Sequence, residues 1–187
     1  MGIILRPISL NDGPFIVKWR NDDRVKSHCM SKSSITIESN EAFFHANVET
    51  GKYKQFIVDF IDRDFPMVSY PIASVYLKDM DYENKRCELC IFTSSDREWN
   101  IESQSMGIKL LLDKAFNEYG MYKVYSYIFS KFPEEVVLFK KAGFLIESIL
   151  KAEALNDKGD YEDVIRMTIF KPCLLYTSPS PRDRSVS

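Results

Sequence analysis

The chain has 187 residues, with 25 Lys and Arg against 27 Asp and Glu, for a formal net charge of −2. One domain is the expectation for that length, and 45% apolar with 28% charged residues is the balance of an ordinary globular protein with enough chain to bury a core. The near-neutral charge excludes a mainly electrostatic nucleic-acid binder, and no apolar run approaches the length of a bilayer span, so neither nucleic acid nor membrane is an expected partner.

Met1 to Pro7 lacks the charged region and apolar stretch of a secretory signal. The cysteines, Cys29, Cys87, Cys90 and Cys173, read as reduced thiols of a cytoplasmic protein. Cys87 and Cys90 lie close together in a strand-like segment, where residues three apart face opposite sides. With no second such pair, and with His28 and His45 remote in sequence, no metal site is expected.

In chain order, Ile3 to Pro7 is a short strand candidate. Asn11-Asp12-Gly13-Pro14 starts a helix that carries Phe15, Ile16, Val17 and Trp19. Ser39 to Val48 reads as a second helix capped by Ser39 and ended by Gly51, with Phe43, Phe44 and His45 taken as a core-facing cluster. Strands follow at Gln55 to Ile61, Ile72 to Leu77 and Arg86 to Thr93, the last two joined by a turn at Asp81 to Asn84. From Ser103 to Tyr119 the period is helical, with Met106, Leu110, Leu111, Ala115 and Phe116 as its apolar stripe and Gly120 as its stop. Met121 to Phe129 is a strand. Pro133-Glu134-Glu135 opens a short helix closed by Ala142-Gly143. Phe144 to Leu155 and Tyr161 to Phe170 are two final strands around a turn at Asn156 to Gly159. This order implies an α/β or α+β domain on one mixed sheet.

Composition changes after Lys171-Pro172. Cys173 through Asp183 resemble one translated frame of a transposase adapter used in sequencing libraries, so residues 173–187 are expected to lie outside the fold, with 1–172 forming the domain.

Five strings in order carry a resemblance: Leu5-Arg6-Pro7, Val17-Lys18-Trp19-Arg20-Asn21 with Asp23-Arg24-Val25, Pro71 to Leu77, Glu88 to Phe92, and Lys141-Ala142-Gly143-Phe144. Over residues 3–170 the chain resembles the GNAT superfamily of acetyl-CoA-dependent N-acetyltransferases. The strings match the branch that holds ribosomal-protein N-terminal acetyltransferases and the amino-sugar acetyltransferases of pseudaminic acid synthesis. The resemblance implies a central mixed, mostly antiparallel sheet of about seven strands flanked by about four helices. It implies transfer of an acetyl group from acetyl-CoA to a primary amine of a small molecule, amino sugar or peptide N-terminus, by a cytoplasmic monomer or homodimer.

By the same resemblance Glu88 is the candidate catalytic base. The alternative for Glu88 is a strand carboxylate held by Arg86 or a neighbouring lysine. Ile91, Phe92 and Thr93 would offer backbone groups to the pantetheine arm, in a gap between the fourth and fifth strands. Trp19, Arg20 and Asn21 would shape the acceptor side, with core packing as the alternative for Trp19. Asn100, Ile101, Glu102, Ser103, Gln104 and Ser105 align with the coenzyme phosphate loop, where the family carries glycines that let backbone amides approach the pyrophosphate. Those glycines are absent here, and Glu102 would bring a negative charge to the phosphates. Phe139 stands where the family has a tyrosine near the thioester sulfur, and Phe132 where it has an asparagine that holds the coenzyme. The sequence therefore also admits a non-catalytic GNAT-fold binding protein that has lost acetyl-CoA.

Overall fold

In the computed structural model, which describes residues 2–97 and 99–172, the period-two segments become a seven-stranded sheet. Its strands are β1 (Gly2–Pro7), β2 (Lys54–Ile61), β3 (Ser69–Asp81), β4 (Arg86–Thr93), β5 (Lys123–Phe129), β6 (Leu145–Leu155) and β7 (Tyr161–Phe170). They lie in the order β1-β2-β3-β4-β5-β7-β6, and β4 with β5 is the parallel pair in an otherwise antiparallel sheet. Residues 173–187, the segment read as an adapter, lie outside the described residues.

Among the described residues five α-helices flank the sheet: α1 (Gly13–Asn21), α2 (Asp23–Lys26), α3 (Ile37–Phe43), α4 (Ile101–Asp113) and α5 (Pro133–Lys141). The count exceeds the four expected because Asp22 starts a separate turn, its carboxylate accepting the Arg24 N–H at 3.0 Å. α3 is capped by Thr36 rather than Ser39, and the two form a reciprocal capping box: Thr36 Oγ1 accepts the Ser39 N–H at 3.1 Å, and Ser39 Oγ accepts the Thr36 N–H at 2.8 Å. α3 and α4 each end in a π-type turn, with Glu49 N–H donating to Phe44 O and Tyr119 N–H to Lys114 O.

The main core lies between one face of the sheet and helices α4 and α5. It joins Val58, Val75, Leu77 and Leu89 to Ile108, Leu111 and Phe139. Each fully buried Leu or Ile contributes about 1.5–3 kcal/mol. A smaller core on the opposite face packs Ile16 and Trp19 of α1 and Val25 of α2 on Ile57 and Phe92. Gly107 brings α4 against β2: a Cβ there would stand 2.8 Å and 2.9 Å from the two methyls of Val58. Gly143 ends α5 at φ +105, a conformation that glycine adopts without a Cβ clash.

The cluster Phe43, Phe44 and His45 does not face the core as expected. Neither α3 nor its π turn holds a buried residue, and His45 pairs in solvent with Glu49 at 2.8 Å. The sheet face beneath α3 is already filled by α1, which leaves α3 over a cavity instead.

Candidate active site

β4 and β5 pair only at Arg86, Cys87 and Glu88, opposite Lys123, Val124 and Tyr125, and part beyond that point. The parting opens one edge of β4. Ser94 N–H donates to Ile72 O at 2.9 Å. Main-chain direction alternates along a strand, so Phe92 and Cys90 also turn theirs toward β3. Ile91 and Thr93 then direct their N–H and C=O groups into the gap.

A cavity of about 310 Å³ fills that gap. Ile91, Phe92 and Thr93 of β4 form one wall. Trp99, Ile101 and Gln104 at the start of α4 form a second, and Glu134, Glu135 and Leu138 of α5 a third. Arg24, Val25 and His28 cover it from the α2 side. Trp99 holds its indole N–H buried and without a partner among the described residues.

The start of α4 is built by Asn100. Its side-chain oxygen accepts the Ser103 N–H at 2.8 Å, and its backbone oxygen accepts the Gln104 N–H at 3.3 Å. The N–H groups of Ile101 and Glu102 keep no acceptor among the described residues. Gln104 donates back to Trp99 O at 2.9 Å, and Ser105 Oγ donates to Glu102 O at 2.9 Å. Ser103 and Ser105 are buried. Glu102 points outward and pairs with Lys141 of α5, so its negative charge is matched and turned away from the cavity. Of the six loop residues, Ile101 and Gln104 line the cavity, while Asn100, Glu102, Ser103 and Ser105 do not.

A second cavity, about 560 Å³, lies on the other face of β4 beneath α1 and α3. Glu88 reaches into it from the point where the strands part. The residue is buried, at 7% exposure. Lys78 Nζ stands 3.4 Å from one carboxylate oxygen, and the Cys90 thiol donates to the other at 3.2 Å. Burial pushes the Glu88 carboxyl above the usual range, against the pull of Lys78 and the Cys90 hydrogen bond. Arg86 is engaged elsewhere, with Asp81 at 3.2 Å. Cys87 and Cys90 lie on opposite faces: Cys87 in the main core, Cys90 on this cavity.

The acceptor-side residues divide. Arg20 lines the second cavity, with its guanidinium carbon 5.4 Å from the centre of the Phe92 ring. Asn21 holds the loop that roofs it, donating to Ile35 O at 2.8 Å and accepting the Ile35 N–H at 2.9 Å. Trp19 is fully buried in the smaller core, its indole N–H given to Asp96 at 3.0 Å. Phe139 is buried in the main core, meets Phe144 edge-on and touches the second cavity. Phe132 lines neither cavity; it stacks on His28 with ring centres 3.7 Å apart.

The two cavities share His28, Ile91, Phe92 and Glu135. His28 Nδ1 lies 3.0 Å from Glu135 Oε2 across that junction. Sequence reasoning missed this pair because its members are 107 residues apart and neither belongs to a periodic pattern. It also left Lys78 unnamed, although Lys78 sits directly opposite Glu88 across the β3–β4 hairpin.

A mostly antiparallel sheet whose parallel pair splays around a cavity, with a long helix beginning at its mouth, is the fold of the GNAT N-acetyltransferases. Among solved structures, the chain is similar to the spermidine N-acetyltransferase of Vibrio cholerae in complex with CoA and spermine, at TM-score 0.79 and 23% identity over 90% of this chain and 95% of that one. It is similar also to a chimera of that enzyme, SpeG, with hSSAT, at TM-score 0.77 and 21% identity over 91% and 96% of the two chains. At these identities the likeness is one of fold. No protein-family model and no curated protein matches the sequence.

Proposed function

We propose that the chain is an N-acetyltransferase that moves an acetyl group from acetyl-CoA to the primary amine of a small molecule, an amino sugar or a peptide N-terminus. The observation that carries this reading is the parting of β4 and β5 directly after Glu88, which leaves main-chain groups open to one cavity and a buried carboxylate in the next. The Vibrio cholerae neighbour, solved with CoA, supports acetyl-CoA as the donor.

The residues present fit that donor. Ile91 and Thr93 hold the pantetheine arm through their open backbone groups. The free N–H group of Ile101, with the orphaned indole N–H of Trp99, takes the phosphate end. The missing glycines narrow that approach, and Lys141 offsets the charge of Glu102.

The amine nitrogen attacks the thioester carbon, the carbon–sulfur bond breaks, and sulfur leaves as thiolate. Glu88 takes the proton that the amine sheds, in a role that its raised pKa suits. His28 and Glu135, at the junction, are the titratable groups placed to return a proton to sulfur. Holding both reactants in adjoining cavities supplies much of the acceleration.

The test is the melting temperature of the chain with acetyl-CoA. Ligand at 100 times its dissociation constant adds ~2.7 kcal/mol of stability, and a corresponding rise is expected. An unchanged melting temperature at millimolar acetyl-CoA overturns the reading and leaves a binding module.

A further inference from the structure

The charges around the second cavity do not balance residue by residue, and the imbalance names a class of acceptor. Its carboxylates are Glu88, which faces the Lys78 ammonium at 3.4 Å, and Glu135, whose oxygen is hydrogen-bonded to the His28 imidazole at 3.0 Å. Its cations are Lys78 and Arg20. Arg20 has no carboxylate. It makes no hydrogen bond or ion pair among the described residues, its Nε is buried without an acceptor, and its guanidinium lies over the face of Phe92. A sheltered guanidinium lacking an anion is the complement of a carboxylate, which it grips through parallel N–H donors.

The place of Arg20 adds to this. Phe92 lines both cavities, so the guanidinium stacked on it stands beside the junction where amine and thioester must meet. The anion it takes is therefore close to the reacting amine. A polyamine meets the opposite pattern, because Glu88 already faces Lys78 and Arg20 repels a further cation.

Resting on the transferase reading, the geometry points to an acceptor that carries a carboxylate near its primary amine, as amino acids do, bound through Arg20. This acceptor differs in charge from the spermine of the Vibrio cholerae complex.

The experiment uses the full chain and matched pairs of acceptors: phenylalanine with phenethylamine, leucine with isoamylamine, and spermidine alongside. Thiol release from acetyl-CoA measures kcat/KM for each. The carboxylate member of a pair is expected to exceed its partner at least tenfold, and Arg20→Gln to bring that ratio near one, while Arg20→Lys keeps part of it. Higher kcat/KM for spermidine or for the carboxylate-free amines overturns the proposal, as does a ratio that survives Arg20→Gln. Binding is measured separately from turnover. N-acetylphenylalanine and N-acetylphenethylamine are compared by their effect on the melting temperature of the wild-type chain and of both variants, each checked for native circular dichroism. A chain without transferase activity still answers by this route. A larger shift with the acid, lost in Arg20→Gln, supports the Arg20 site even where acetyl transfer fails, and equal or absent shifts overturn it.

Discussion

Glu88 is poised by opposing forces: burial favours its neutral form, while Lys78 and the Cys90 thiol favour the charged one. A base must be ionised, so the rate is expected to fall as pH drops through the raised Glu88 value. Glu88→Gln should remove that limb of the pH–rate profile and cost about 10²–10⁴ in kcat. Lys78→Met removes the cation that holds the pKa down, so its limb should move to higher pH, as a profile of kcat/KM against pH reads out. A limb unmoved by Lys78→Met would mean that the titrating group is not Glu88. The pair itself was half legible in the sequence. A turn closed at Asp81 and Asn84 would set Lys78 opposite Cys87; the strands instead pair Asp81 with Arg86, a register that points Lys78 at Leu89, and the irregularity between Lys78 and Asp81 brings it to Glu88.

At the scale of elements, α4 joins the first cavity to the core. Its start departs from the glycine pattern, but Asn100 caps it and Lys141 engages Glu102. Glu102→Gly with Gln104→Gly bares the main chain at the cavity and should tighten acetyl-CoA by about tenfold, ~1.4 kcal/mol, measured by calorimetry. Weaker binding would show that the loop holds the donor by side chains instead. Further along α4, Gly107→Ala drives a methyl into Val58 and should cost about 1–3 kcal/mol in urea unfolding. Val58→Ala on that background should recover part of the loss, since the two sites share one contact. The helical period of α4 was evident from its apolar stripe. The close approach at Gly107 was not, because it depends on which strand the helix crosses.

Over the whole molecule, Arg6 ties the edge strand to both layers. It donates to Asp59 of β2 at 2.7 Å and to both oxygens of Asp12, ahead of α1, at 2.8 and 2.9 Å. Burial raises the Asp12 carboxyl, but Arg6 and the Ser9 N–H outweigh it and hold the pKa low. The stability this gives is present above the ordinary aspartate range and is lost as pH falls through the depressed value. Glu88 has the opposite sign: its contribution is present below the ordinary glutamate value and is lost as pH rises through the raised one. The urea midpoint of the chain should therefore fall in acid, and Asp12→Asn should flatten that acid slope while lowering the midpoint at neutral pH. An equally steep acid slope in Asp12→Asn would assign the acid loss to other carboxylates.

The order of strands and helices was determined by the sequence alone, because burial on one face imposes a period of 2 or 3.6 on neighbouring residues. The strings around Glu88 and Lys141 added the family fold through resemblance, not through periodicity. Tertiary structure alone decided which charges meet: Glu88 with Lys78, Glu102 with Lys141, His28 with Glu135, and Arg20 with no anion. These pairings join distant segments through strand register and helix crossing, and the pattern of nearby residues does not encode them.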